Sequence, residues 1–373
     1  MILQTQNRPD PELFLETCFK MEANPEVKGL LALLPEGNNF SPEDLDKGLK
    51  KLKTPIFGGV FPEILHKKNR MTKGFVLVGL LQEPRIAVIG PLSDSEQDFG
   101  RVLERNYPVK SAAGCMFVFV DGFATRINDL IESLFDIFGL SIDFLGGGAG
   151  SLNMTQKPCI ITNQGLVQDR AVLAFMEVKS GTGVKHGWEV VTGPFKVTKS
   201  EKNTILTLDG EPAFGVYKRV IQKYAQAMIS KNNFFDLAKN FPIGITRLNA
   251  EKLVRDPVRA RQDGSIVCVG EIPSQTYVHI LTGDNPSLIQ AAKEALLQAR
   301  NNYANGWQKK PVVFFDCVSR ALFLGDHFSE EMDAVNNPNT PLFGALTLGE
   351  IANYGKDYLD FHNKTAVIGV LDI

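Results

Sequence analysis

The chain has 373 residues, 44% hydrophobic and 22% charged, with a net charge of −2. That is the balance of a soluble globular protein with room for two ordinary domains. It lacks the broad basic field that a nucleic-acid backbone requires, so no nucleic-acid partner is expected. The strongly apolar runs, such as "CMFVFV" at Cys115–Val120, fall well short of the about 20 residues of a membrane span. The opening "MILQTQNRPDPELF" carries no secretory-signal pattern. A cytoplasmic protein without a membrane partner is expected. Cys18, Cys115, Cys159, Cys268 and Cys317 are scattered and include no CxxC, which points to reduced core thiols.

In chain order, "GLLALLP" (Gly29–Pro35) reads as a buried strand. "SPEDLDKGLKKLK" (Ser41–Lys53) reads as a helix with Ser41 as cap and Pro42 in the first turn. "TPIFGGVFPEI" (Thr54–Ile64) and "GFVLVGLL" (Gly74–Leu81) are further strands. "CMFVFVD" (Cys115–Asp121) is a strand. It is followed by an amphipathic helix over Ala124–Gly139 with Ile127, Leu130, Ile131, Leu134 and Ile137 at helical spacing. "IDFLGGGAGS" (Ile142–Ser151) and "RAVLAFMEV" (Arg170–Val178) follow. His186–Phe214 and Arg259–Ile272 have hairpin patterning, with turns at Asp209-Gly210 and Asp263-Gly264. Gly215–Ser230 is a helix. Asn285–Gly306 is another, with Asn285 as cap and Pro286 at its first position. "PVVFFDC" (Pro311–Cys317), a short helix over Phe328–Asn337, "TPLFGALTLGEI" (Thr340–Ile351) and "KTAVIGVLDI" (Lys364–Ile373) complete the chain.

A unit of strand, helix, Phe/Gly-rich strand and closing strand therefore recurs. Allowing one inserted residue, Thr54–Ile64 and Thr340–Ile351 share Thr-Pro, Phe-Gly and a closing Glu-Ile. The expected fold is α/β (mixed α+β): two related domains, 1–208 and 209–373, with mixed sheets packed face to face and helices outside. The two Thr-Pro-x-Phe-Gly strands are expected in equivalent places.

The glycines Gly146, Gly147 and Gly148 do not lead into a helix and no GK[ST] follows. They suit a sharp turn at a pocket wall better than a phosphate cradle. Cys317 and Arg320 stand where a strand ends, the usual ligand position of α/β sheets. An arginine there fits a carboxylate, and Glu350 fits an amino group. The pair suits an amino acid or similar zwitterion, or else each other. No histidine pair has metal-ligand spacing. His186, beside Gly187 and Trp188, is the residue best placed to be an axial haem ligand, or is an ordinary partly buried histidine. Cys317 as a nucleophile lacks an identifiable base, so no enzyme activity is expected.

"HGWEVVTGPFKVTKSEKNTILTLDGEPAFGVYKRV" (His186–Val220) resembles the end of a FIST N-terminal domain. "VVFFDCVSRALFLG", "PLFGALTLGEI" and "FHNKTAVIGVL" resemble a FIST C-terminal domain in that order, and "FLGGGAGS" fits the first domain. The resemblance implies a sensory module of signal transduction that binds a small ligand such as an amino acid. It also allows a haem-binding nitric oxide sensor acting on a partner kinase or cyclic-dinucleotide enzyme, or an interaction scaffold. The family's Cys-x-x-Arg and Gly-Glu-Ile fall on Cys317, Arg320, Gly349, Glu350 and Ile351. In the first domain "GGVFPEI" departs from the family, with Phe61 and Pro62 preceding Glu63. Any signalling output is expected in a separate protein.

Overall fold

The computed structural model describes residues 1–107, 113–247, 251–353 and 358–373. Within them one unit occurs three times: an edge strand, a helix, a central strand, a crossover, a glycine strand, a hairpin and a closing strand. In the first unit the central, glycine and closing strands are Gly29–Pro35, Ile56–Phe61 and Phe75–Leu80. In the second they are Cys115–Asp121, Asp143–Ala149 and Ala171–Met176. In the third they are Val312–Cys317, Leu342–Thr347 and Ala366–Leu371. Each central strand runs parallel to its glycine strand and antiparallel to its closing strand. The sheets are thus mixed, in an α/β chain.

The hairpins tie the units together. Each leaves its own unit and adds to another unit's sheet. The first unit's hairpin pairs with the third unit's glycine strand, through Ile64↔Ala345. The second unit's pairs with the first, through Ile160↔Gly59. The third unit's pairs with the second, through Glu350↔Gly147. Three six-stranded sheets result, each with an edge strand, three strands of its own and a borrowed hairpin.

This exchange changes the reading of Thr54–Ile64. It is two strands, Ile56–Phe61 and Glu63–His66, in different sheets. Pro62 breaks it, because proline lacks the N–H that a ladder needs. The two Thr-Pro-x-Phe-Gly strands do hold equivalent positions, next to their central strands in the first and third units.

One core lies among the inner faces of all three sheets. There Phe57 of the first unit, Phe117 and Phe119 of the second and Phe315 of the third pack ring against ring, with centroids 5.5–6.4 Å apart. One face of each sheet packs against its unit's helices and the other joins the shared core, which explains why the strands are apolar on both sides. The helix at Ile127–Phe138 buries Ile127, Leu130, Ile131 and Leu134. The helix expected over Ser41–Lys53 spans only Pro42–Leu49, with a Ser41/Asp44 capping box. For the long helix Asn285–Tyr303 the cap is Asp284 rather than Asn285, its Oδ1 accepting from Ser287 N at 2.8 Å.

The third unit is interrupted. Between its edge strand, Ser180–Lys185, and the helix Asn285–Tyr303, an antiparallel lobe is inserted. Its long strand Glu189–Glu201 pairs with Tyr277–Thr282 through one half and with Thr204–Leu208 through the other, so the ladder closes on itself. Tyr217, Phe234, Ile205 and Ile266 belong to its separate core. Residues 208 and 209 sit at a turn inside this lobe, where Leu208 pairs with Glu211. No helix among the described residues is long and apolar enough to cross a membrane.

Candidate functional site

Parallel strand ends are the natural ligand positions of such sheets, and the three units offer three equivalent crests. The registers Ala32↔Gly58, Val118↔Gly146 and Phe314↔Gly344 align them. Leu34 and Val120 then correspond to Asp316. Phe61 and Ala149 correspond to Thr347. Ile64 and Ile160 correspond to Glu350, since each stands opposite the residue after the aligned glycine. The Glu-Ile pairs at 63–64 and 350–351 are therefore one position out of register. The third crest is polar where the other two are apolar.

That polar crest is closed. Arg320 is fully buried. Its Nε donates to Asp316 Oδ1 at 2.9 Å, one Nη to the His186 carbonyl at 2.7 Å, and the other Nη to the Leu288 carbonyl at 3.1 Å and to Glu331. Burial opposes the arginine's charge, but Glu331 and Asp316 more than offset it and keep the guanidinium charged. Burial, then Glu331, push Asp316 well above the usual carboxylate range. Arg320 is thus not paired with Glu350, and nearly all of its donors are already committed within the protein.

Glu350 is also fully buried. It accepts from Thr347 Oγ1 at 2.8 Å and from Thr365 N at 3.3 Å, with the Cys317 thiol beside it. Burial pushes its carboxyl up to about 8. Burial and Glu350 together push the Cys317 thiol well above its ordinary value, the reverse of an activated nucleophile.

The remaining expected residues gather along the same seam as packing elements. Gly146–Gly148 lie within a strand paired on both edges. A Cβ at Gly147 would fall 2.5 Å from the Gly349 carbonyl, and one at Gly148 2.6 Å from the Leu348 carbonyl. These glycines admit the third unit's hairpin. Trp188 Nε1 donates to the carbonyl of buried Lys364 at 3.1 Å, and its ring packs on Phe323. His186 is buried, its Nδ1 accepting from Trp188 N at 2.8 Å. The cavity that His186 lines measures about 20 Å³, the space of one water and far below a porphyrin. Haem therefore does not fit at His186. No cluster of three metal-ligating side chains occurs among the described residues.

At the second crest Asp121 is buried and engaged as well. Asp121 Oδ2 accepts from Gln156 Nε2 and from Asp169 N, both at 2.8 Å. At the first crest, however, lies a cavity of about 530 Å³, within the 300–1,000 Å³ range of small-ligand sites. Its walls are two loops, residues 36–42 and 150–159. Glu36 and Lys157 contribute opposite charges, Ser41 and Asn153 hydrogen-bonding groups, and Phe40 and Val60 apolar surface. Glu36 also accepts from Leu152 N at 3.1 Å, which ties the loops together. Neither Glu36 nor Lys157 is in an ion pair among the described residues. The sequence reading placed its candidate residues at the third crest and did not single out this cavity. Its traces were the Ser41-Pro42 helix start and the end of "GGGAGS", where Gly150 and Ser151 line the cavity.

A repeated α/β unit with ligand-sized space at a strand crest defines a binding module. The family model for the FIST N domain matches residues 53–211, and that for the FIST C domain matches residues 213–353. The chain belongs to the FIST family, whose domains are small-molecule-binding sensory modules of signal transduction. It is also similar to an uncharacterized protein of Methanocaldococcus jannaschii, 22% identical over 272 residues, covering 65% of this chain and 51% of that protein. The chain thus spans about half the length of that relative.

Proposed function

We propose that the chain is a small-ligand-binding sensory protein whose ligand occupies the first crest. The observation that carries this reading is the contrast among equivalent crests: at two, buried carboxylates are engaged by the chain's own groups, and one holds about 530 Å³ of space. The ligand is a zwitterion of amino-acid size. Lys157 meets its carboxylate, Glu36 its ammonium, and Phe40 its apolar portion. The protein acts in the cytoplasm and passes its signal to a separate output protein. Arg320 and Glu350 keep the third unit and the lobe in place, remote from the ligand.

Calorimetric titration with the proteinogenic amino acids tests this, alongside native mass spectrometry of protein as isolated. At least one amino acid should bind. Lys157→Met and Glu36→Gln should each weaken it about tenfold or more, as expected for a lost charge-assisted bond. Unchanged affinity in both variants overturns the site.

A further inference from the structure

The small cavity at His186 lies where the inserted lobe meets the third unit, and its chemistry differs from that of the first crest. Because His186 Nδ1 accepts from Trp188 N, the ring proton of the neutral imidazole is on Nε2. Burial, the main influence, pushes His186 down to about 4, so the neutral form is the resident one. That Nε2 is buried without a hydrogen-bond partner. Glu251 Oε2 is 3.6 Å away, beyond bonding range, and Glu251 is engaged by Lys185. Arg247, on the same wall, gives an Nη to Asp360 at 2.5 Å while its Nε is buried and unpartnered. Lys252 lines the cavity too and is half-buried, with no ion-pair partner among the described residues.

The two carboxylates of the lining, Glu251 and Asp360, are taken up by Lys185 and Arg247, so the two unpartnered N–H donors and Lys252 are left for an acceptor carrying negative charge. The space admits one oxygen-sized atom, and the exposed Glu251 marks a mouth toward solvent. We propose that this seam binds the carboxylate group of a small acid, one oxygen entering between His186 Nε2 and Arg247 Nε with Lys252 beside it. Both walls would then hold the same group. Arg247 and Lys252 belong to the lobe, whereas His186 follows the edge strand of the third unit, and its carbonyl is held by Arg320. Occupancy fixes the lobe against the body.

The test follows the ¹⁵N-imidazole resonances of His186 while sodium acetate is added, with sodium chloride at matched ionic strength as the control. Acetate should give a saturable shift that chloride does not. Its affinity should fall about tenfold or more in Arg247→Gln and in Lys252→Met, both on partly exposed side chains. Lys157→Met should leave acetate binding at this seam unchanged, which separates the result from the fate of the first-crest reading. A shift identical in acetate and chloride overturns the proposal. So does a high-resolution crystal structure grown in acetate with a lone water bridging the two N–H groups. Inorganic phosphate binding more tightly than acetate overturns the assignment to a carboxylate.

Discussion

The first and third crests share a backbone plan and differ in what fills it. At the first, Leu34, Phe61 and Ile64 seal the underlying core, and the space above stays open. At the third, Asp316, Thr347 and Glu350 occupy the same places, and buried partners surround them. Those partners are mostly the third unit's own, with the inserted lobe adding Asp256. His186 offers its carbonyl to Arg320, and Asp256 accepts from Ser319 at 2.5 Å and lies 3.4 Å from Lys364. A buried charge is tolerable only when paired and hydrogen-bonded. The third unit therefore pairs most of its buried charges itself, and Asp256 of the lobe lies 3.4 Å from Lys364. The polar residues most conspicuous in the sequence are paired largely within the third unit, and the ligand-sized space lies where the residues are least conspicuous.

Removing the cation at the centre of the seam gives the largest expected effect. Arg320→Met leaves Asp316 and Glu331 buried without their counter-ion, which should cost about 3–5 kcal/mol in urea unfolding. Adding Asp316→Leu and Glu331→Leu removes the stranded charges and copies Leu34 of the first unit. This triple variant should regain most of the loss. A single variant within about 1 kcal/mol of wild type would contradict the comparison.

A smaller effect tests whether the crests rest on the same packing rule. A Cβ at Gly58 would sit 1.8 Å from the Ala32 carbonyl, and one at Gly344 1.8 Å from the Phe314 carbonyl. Gly58→Ala and Gly344→Ala should each destabilise by about 1–3 kcal/mol, the usual range for overpacking. Matched losses in thermal or urea unfolding support a shared frame. A loss confined to one unit shows that the other glycine strand can shift.

Much of this frame was legible from the chain. Thr-Pro-x-Phe-Gly marks the first and third glycine strands because the glycine must lie against a neighbouring carbonyl and proline must stay at the strand entry. The second copy, Leu145-Gly146, keeps the glycine alone and shows only through its flanking strand and helix. The hairpin exchange was not legible. Pairing of Ile64 with Ala345 joins residues about three-quarters of the chain length apart, and no local pattern specifies it. Cys317, Arg320 and Glu350 lie near one another, but residue type alone could not tell buried pairing from ligand contact. That depended on Asp316 and Glu331, an i,i+4 partner and a residue of the next helix. The first crest was missed because its walls are irregular loops, whose convergence leaves no periodic signal.

A pH-dependent effect also separates the crests. Glu350 has a folded value of about 8 against an ordinary 4.5, so the folded state holds its proton more tightly than the unfolded chain does. Its contribution is complete below pH of about 4.5 and is lost as the pH rises through about 8. In the other two units the equivalent residue is isoleucine, which has no proton to lose; Ile160 even faces a glycine, Gly59, as Glu350 faces Gly147. Glu350→Ile should therefore flatten the fall in urea midpoint across that window. Any cost at the acidic end should be about 1–2 kcal/mol, from the bonds given up by Thr347 and Thr365. Toward pH 8 the variant should match or exceed wild type, because it no longer buries a carboxylate. An equal slope in the two proteins would place the pH dependence elsewhere, with Asp316 the next group to replace.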